Sequence, residues 1–72
     1  MTLAQAQRGQ MIHIMSIHDA EIRAQAIRFG IGTGARVECA EKLPQGPVVI
    51  CRGKQQIAVG RRLAENIIVE RA

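Results

Sequence analysis

The apolar residues of this chain are divided among short alternating segments, and residues that favour turns separate one segment from the next. The longer segments lie at 11–18, 35–42 and 47–52, and shorter ones follow at 57–59 and 67–70. Alternation of this kind indicates strands that turn one face toward a core. Five short strands within 72 residues predict a mainly β fold, a small and partly open barrel.

A single helix is predicted to interrupt these strands. Apolar residues at the spacing of one helix face define it over residues 20–29, and they are Ile22, Ala26 and Phe29. Asp19 is a favourable N-cap, and Gly30 stands where many helices end in a left-handed residue. Gly32 and Gly34 follow it. Because a phosphate-binding loop precedes its helix, we predict that these three glycines form a helix stop and a turn instead.

The second and third strands are predicted to form a hairpin that is symmetric about Gln45. In that register Glu38 lies opposite Arg52, and Cys39 lies opposite Cys51. The apolar face of the hairpin then consists of Val37, Cys39, Val49 and Cys51.

The loop before the fourth strand decides which face its apolar residues join. A three-residue loop at 54–56 places Ile57 and Val59 on the face of Val49 and Cys51. A two-residue loop would turn them outward, so we predict the three-residue loop.

Composition restricts what such a domain can recognise. The chain has one aromatic residue, Phe29, and no tryptophan or tyrosine. Base-stacking surfaces, cages for methylated cations and grooves for proline-rich peptides all need more aromatic rings. The 72 residues provide for one domain, which we predict over residues 1–72, and leave no room for a nucleotide-binding domain.

The sequence contains no predicted signal or membrane anchor. No apolar run approaches the roughly 20 residues that span a bilayer, and the N-terminus lacks a basic region followed by an apolar core. We therefore expect a cytoplasmic protein whose cysteines remain thiols.

One stretch is similar to a known family. Residues 26–37, AIRFGIGTGARV, combine a helix end, a Gly-Ile pair, a glycine turn and a valine-bearing strand. This order resembles the signature of the FeoA family. Further landmarks follow in the family's order over residues 3–69, and they are Leu3-Ala4, Gly9, Gly46-Pro47-Val48, Gly53, Ile57-Ala58-Val59, Ala64, Ile67 and Val69.

The resemblance implies an SH3-like β-barrel with a helix inserted after the first strand. It also implies a small cytosolic component of bacterial ferrous iron uptake that acts by contact with FeoB, the permease with a cytosolic GTPase domain. The same module occurs at the C-terminus of iron- and manganese-dependent repressors. The residues themselves predict no enzyme, because the chain has no P-loop, no His-Glu-x-x-His motif and a single serine, Ser16.

Residues of metal-ligating type are scattered along the chain. The candidates are His13, His18, Asp19, Glu21, Cys39 and Cys51. No Cys-x-x-Cys pair of the kind found in structural zinc sites is present. We expect the cysteines to pack in the core and Asp19 to cap the helix, so we predict no cofactor. Weak binding of Fe²⁺ or Zn²⁺ by these residues is the alternative, and it would make the protein a regulator or carrier that senses Fe²⁺ directly.

The positive charge of the chain is concentrated in one segment. Ten Lys and Arg residues against six Asp and Glu give a net charge of +4, and residues 52–62 contain four of the basic residues and no acid. We predict that this basic edge binds an acidic surface of a partner protein, with a second contact on the helix at Arg23 and Arg28. The basic edge consists of Arg52, Lys54, Arg61 and Arg62.

The basic edge is also compatible with three roles that need no partner protein. A solvated rim that keeps the domain in solution would have this composition. Nucleic acid would be bound through phosphates alone and without specificity, and an anionic lipid leaflet attracts such clusters by about 1 kcal/mol per residue. Exposed strand edges over a thin core are compatible with a homo-oligomer as well.

Overall fold

The computed structural model describes residues 1–72 and contains one five-stranded antiparallel sheet. The strands are β1 (Met11–Ile17), β2 (Arg36–Lys42), β3 (Val48–Arg52), β4 (Gln55–Val59) and β5 (Ile67–Arg71). Helix α1 (Ala20–Arg28) follows β1, a one-turn helix α2 (Arg61–Glu65) follows β4, and a 3₁₀ turn (Leu3–Gln5) precedes β1. The order across the sheet is β4-β3-β2-β1-β5. The predicted mainly β fold, with its helix after the first strand, is confirmed, although β4 and β5 do not pair and the sheet stays open.

β1 turns one face to the core, and a bulge alters its pattern near the end. Ile12 and Ile14 share the buried face, but Ile17 is buried as well. The pairing with β5 shifts between Ile14 and Ser16, and the extra residue returns Ile17 to the core. Strict alternation would instead place Ile17 on the opposite face, with Met11.

Both ends of α1 are capped by local residues. The Asp19 carboxylate accepts hydrogen bonds from the N–H groups of Glu21 and Ile22, at 2.9 and 3.1 Å. Gly30 follows the helix with φ +76°, and the N–H of Ile31 donates to the carbonyl of Ala26 at 3.0 Å. This Schellman arrangement returns Ile31 to the core, where it is fully buried.

Fewer residues of α1 face the core than predicted. Ala26 is buried and Ile22 is half-buried, whereas Phe29 is 46% exposed. The helix ends at Arg28, so Phe29 lies at the C-cap with ψ near 0° and no longer follows the helical repeat. The prediction that Phe29 belongs to the apolar face is wrong, and Ile31 takes that place.

The hairpin of β2 and β3 keeps its predicted register beside the turn, where Glu41 pairs with Val49, and departs from it farther along β2. A bulge in the middle of β2 shifts the pairing by one residue, so Cys39 lies opposite Ile50 and Glu38 lies opposite Cys51. The predicted pairing of the two cysteines, and that of Glu38 with Arg52, are both wrong. The cause is the extra residue, which no feature of the hydrophobic alternation indicates.

The next hairpin contains two further differences from expectation. The core face of β3 carries Val48 and Ile50, not Val49 and Cys51. The loop to β4 has two residues, because Arg52 pairs directly with Gln55. Gly53 opens this loop with φ +61°, the conformation that the first position of a type II′ turn requires. The two errors cancel, so the apolar residues of β4 are still buried, and they are Ile57 and Val59.

The core consists of 17 buried residues, all of them apolar or cysteine. The two short helical segments cover one end of it with Leu3 and Ala64, which are both fully buried. The segment after α1 holds the predicted turn glycines and lies against β1, since the N–H of Gly34 donates to the carbonyl of Ile14 at 2.8 Å. Neither helix has the length and apolar character that a membrane crossing requires.

Candidate partner-binding surface

The basic edge lies along β4, but its cations are divided between the two ends of that strand. Arg52 ends β3 and Lys54 lies in the two-residue turn before β4, whereas Arg61 and Arg62 follow β4 after Gly60. At about 3.3 Å per residue, the five residues of β4 separate the two pairs by about 17 Å. The four cations therefore all lie beside β4, but they form two separate pairs, one at each end of the strand.

Arg52 is directed toward the end of α1. Its Nη1 atom lies so close to Gly30 that a Cβ on that residue would be 2.6 Å away. The last carbonyl groups of a helix form the negative end of its dipole, so a guanidinium there is favourably placed. Arg52 thus connects the end of β3 with the end of α1.

Arg61 is engaged in the fold. Its Nε donates to the carbonyl of Gly46 at 3.2 Å, and its Nη2 donates to the carbonyl of Leu43 at 3.1 Å. The side chain is half-buried and holds the turn between β2 and β3 against the start of α2. Sequence reasoning does not find this role, because the partners lie 15 and 18 residues away.

Arg61 is the one half-buried cation of the basic edge. Lys54 and Arg62 are exposed, and so is Arg52, whose guanidinium lies against Gly30. Lys54 is at the tip of the hairpin of β3 and β4. Arg62 borders an open groove of about 410 Å³ between α1 and α2. The groove is lined by Asp19, Glu21, Ile22, Gln25, Arg62 and Leu63.

The outer side of α1 combines cations with exposed apolar groups. Arg23 and Arg28 are both exposed, and Nη1 of Arg23 donates to the carbonyl of Ile17 at 3.4 Å. Between and beside them, Ile27 is 64% exposed and Phe29 is 46% exposed. The sequence predicts the cations here but not the apolar groups, because the helical repeat places Phe29 in the core.

The predicted metal-ligating residues lie apart from one another. No group of three or more His, Cys, Asp or Glu side chains comes together in the described chain. Asp19 caps α1, and His18 is exposed with its Nε2 3.5 Å from the hydroxyl of Ser16. Cys39 is buried and Cys51 is half-buried.

The two thiols differ in their surroundings. Burial raises the pKa of the Cys39 thiol, and Glu41 and Glu38 add to this effect while Lys42 opposes it. Its Sγ lies 3.9 Å from the carbonyl of Glu41. The Sγ of Cys51 lies 3.7 Å from the carbonyl of Gly53, near the hairpin tip.

Comparison with known proteins gives consistent likenesses. A family model described as the FeoA domain matches residues 1–71. The crystal structure of an iron uptake regulatory protein (FeoA) is 25% identical, with a TM-score of 0.90 over 100% of this chain and 97% of that chain. The solution structure of the FeoA protein from Chlorobium tepidum is 22% identical, with a TM-score of 0.83 over 99% and 70%. No curated protein gives a significant match.

The fold also occurs as part of a larger protein. The manganese regulator SloR is 15% identical, with a TM-score of 0.86 over 99% of this chain and 34% of that chain. At that identity the likeness concerns the fold alone. Together these comparisons confirm the predicted SH3-like fold.

Proposed function

This chain belongs to the FeoA domain family, and on that premise we propose that it is a non-enzymatic, cytoplasmic accessory protein of ferrous iron uptake. It acts by contact with the cytosolic side of the ferrous iron permease, FeoB. The observation that carries the proposal is the family match over residues 1–71. The association of the family with ferrous iron transport then supplies the process.

Two exposed surfaces support a role in protein contact. On α1, Arg23 and Arg28 flank the exposed side chains of Ile27 and Phe29. Interfaces between proteins are enriched in arginine and aromatic residues, and they place apolar groups within a polar rim. On the basic edge, Lys54 and Arg62 are exposed and suit an acidic surface, whereas Arg52 and Arg61 also support the fold.

The experiment is an uptake assay in cells that lack this protein. Cells that express Lys54→Glu/Arg62→Glu should import radiolabelled Fe²⁺ more slowly than cells that express the wild type, because the reversed charges repel an acidic surface. Arg8→Glu is the matched control, since Arg8 is exposed and lies before β1, outside both surfaces. Equal uptake in cells with and without the wild-type protein would overturn the proposed function.

A further inference from the structure

The two edges of the sheet differ in how they are covered. The N-terminal segment pairs with the outer edge of β5, where Thr2 bridges Ile68 and the N–H of Val69 donates to the carbonyl of Met1 at 2.8 Å. β4 pairs with β3 on one side and has no strand on its other side. The backbone groups on that open side are therefore available to an added strand.

The register of β4 identifies these groups. Arg52 and Gln55 close a two-residue turn and so exchange backbone hydrogen bonds. Because bonded and non-bonded pairs alternate along an antiparallel ladder, Ile57 and Val59 are also bonded to β3. Gln56 and Ala58 then direct both their N–H and their C=O groups to the open side.

β4 lacks the features that usually protect an edge strand. It contains no charged residue and no proline. Its pairing with β3 runs through all five residues without a register shift, whereas β1 and β2 each carry a bulge. Natural edges are commonly blocked by inward charges, proline or a bulge, so this edge is open to strand addition.

The charges beside β4 indicate which kind of strand would pair with its open edge. Lys54 precedes the strand, Arg61 and Arg62 follow it, and no acidic residue lies in 52–62. A second copy that paired antiparallel about Ile57 would bring Arg52 of one copy near Arg62 of the other, and these like charges repel. An extended segment with acidic residues at both ends meets favourable charge at both ends of β4.

We propose that the open edge of β4 binds an extended acidic segment of a partner protein by β-strand addition. The backbone of Gln56 and Ala58 supplies the ladder hydrogen bonds, and Lys54 and Arg62 attract the acidic ends. The inference rests on the proposed function for the identity of the partner, while the chemistry of the bound segment follows from the edge itself.

The test uses a short synthetic peptide with a Val-Thr-Val centre between acidic ends, added to the full chain labelled with ¹⁵N. Amide shifts should be confined to β4 and its flanks, and a version of the peptide with lysine ends should bind at least about tenfold more weakly. Shifts elsewhere, or equal binding of the two peptides, would overturn the proposal.

Ala58→Pro tests the backbone contact. It removes an N–H that points away from β3, a position where edge strands tolerate proline, and it should weaken peptide binding about tenfold or more. Ala58→Val keeps the N–H and should bind as the wild type does. If Ala58→Pro fails to fold, a peptide with N-methylated central amides tests the same bonds with the wild-type chain. Undiminished binding of that peptide counts against strand addition.

Two further readouts separate the alternatives. Sedimentation of the chain alone should show a monomer, and a dimer that Ala58→Pro dissociates would assign the edge to a second copy instead. Loss of iron uptake in the charge-reversed variant, together with no peptide binding to the wild type, would reject the strand addition while the proposed function stands.

Discussion

The guanidinium of Arg52 lies over Gly30, in space that any side chain at residue 30 would occupy. A Cβ there would be 2.6 Å from Nη1, and Gly30 also has a φ of +76°. Position 30 therefore requires glycine for two reasons: glycine adopts a left-handed backbone conformation without strain, and it has no side chain to displace Arg52. The result connects the end of α1 with the end of β3.

Gly30→Ala should lower the free energy of unfolding by about 1–2 kcal/mol, because alanine is strained at positive φ. Urea unfolding measures the loss. Gly9→Ala is the matched control, since Gly9 has φ +90° and a Cβ on it would meet no atom within 4 Å. Any further loss of unfolding free energy in Gly30→Ala, beyond that in Gly9→Ala, then measures the cost of displacing Arg52. Unchanged stability of Gly30→Ala would refute this account of the helix end.

Arg61→Met should destabilise the domain by about 1–3 kcal/mol, because it removes two charge-assisted hydrogen bonds to the carbonyl groups of Gly46 and Leu43. Thermal or urea unfolding gives the value. Arg62→Met removes an exposed neighbour in the same helix and should change stability by less than about 0.5 kcal/mol. Equal effects of the two substitutions would show that the bonds of Arg61 add nothing to stability.

Stability should fall at alkaline pH in a way that depends on Cys39. Because burial raises the pKa of this thiol, the folded state keeps the proton after the unfolded state has released it. The contribution is complete below the ordinary thiol pKa and is lost as pH rises through the raised value. Urea unfolding from neutral to alkaline pH should show a smaller decline for Cys39→Ala. Parallel curves for the two proteins would contradict this.

Titration with Fe²⁺ or Zn²⁺ under reducing conditions tests the metal-sensing alternative. Since His18, Asp19, Glu21 and the cysteines do not assemble into one group, we expect no tight stoichiometric binding. Isothermal titration calorimetry provides the measurement. Tight 1:1 binding would favour a regulator or carrier that senses the metal directly.

The features that the sequence predicts correctly depend on neighbouring residues. Asp19 and Gly30 act on the helix that they adjoin, so composition and position identify both caps. The contacts of Arg61 join residues 15 and 18 positions apart, so the sequence around Arg61 gives no indication of them. The two-residue turn could be predicted, because glycine is the known preference at its first position, where Gly53 stands.

The sequence predicts the candidate surface in part. Charge counting locates the basic edge, since residues 52–62 contain four cations and no acid. It does not distinguish Lys54 and Arg62 from the two arginines that contact other elements, Arg52 against Gly30 and Arg61 at the carbonyl of Gly46. That distinction depends on tertiary packing, as does the exposure of Ile27 and Phe29.

The bulge in β2 determines how the domain responds to oxidants. Its extra residue, Ala40, places Cys39 in the core opposite Ile50 and leaves Cys51 on the other face, so the two thiols cannot close a cross-strand disulfide without rearrangement of the backbone. In an unbroken ladder Ala40 would pair with Ile50, and Cys39 would then lie opposite Cys51. One inserted residue therefore makes the stability of this hairpin independent of redox potential.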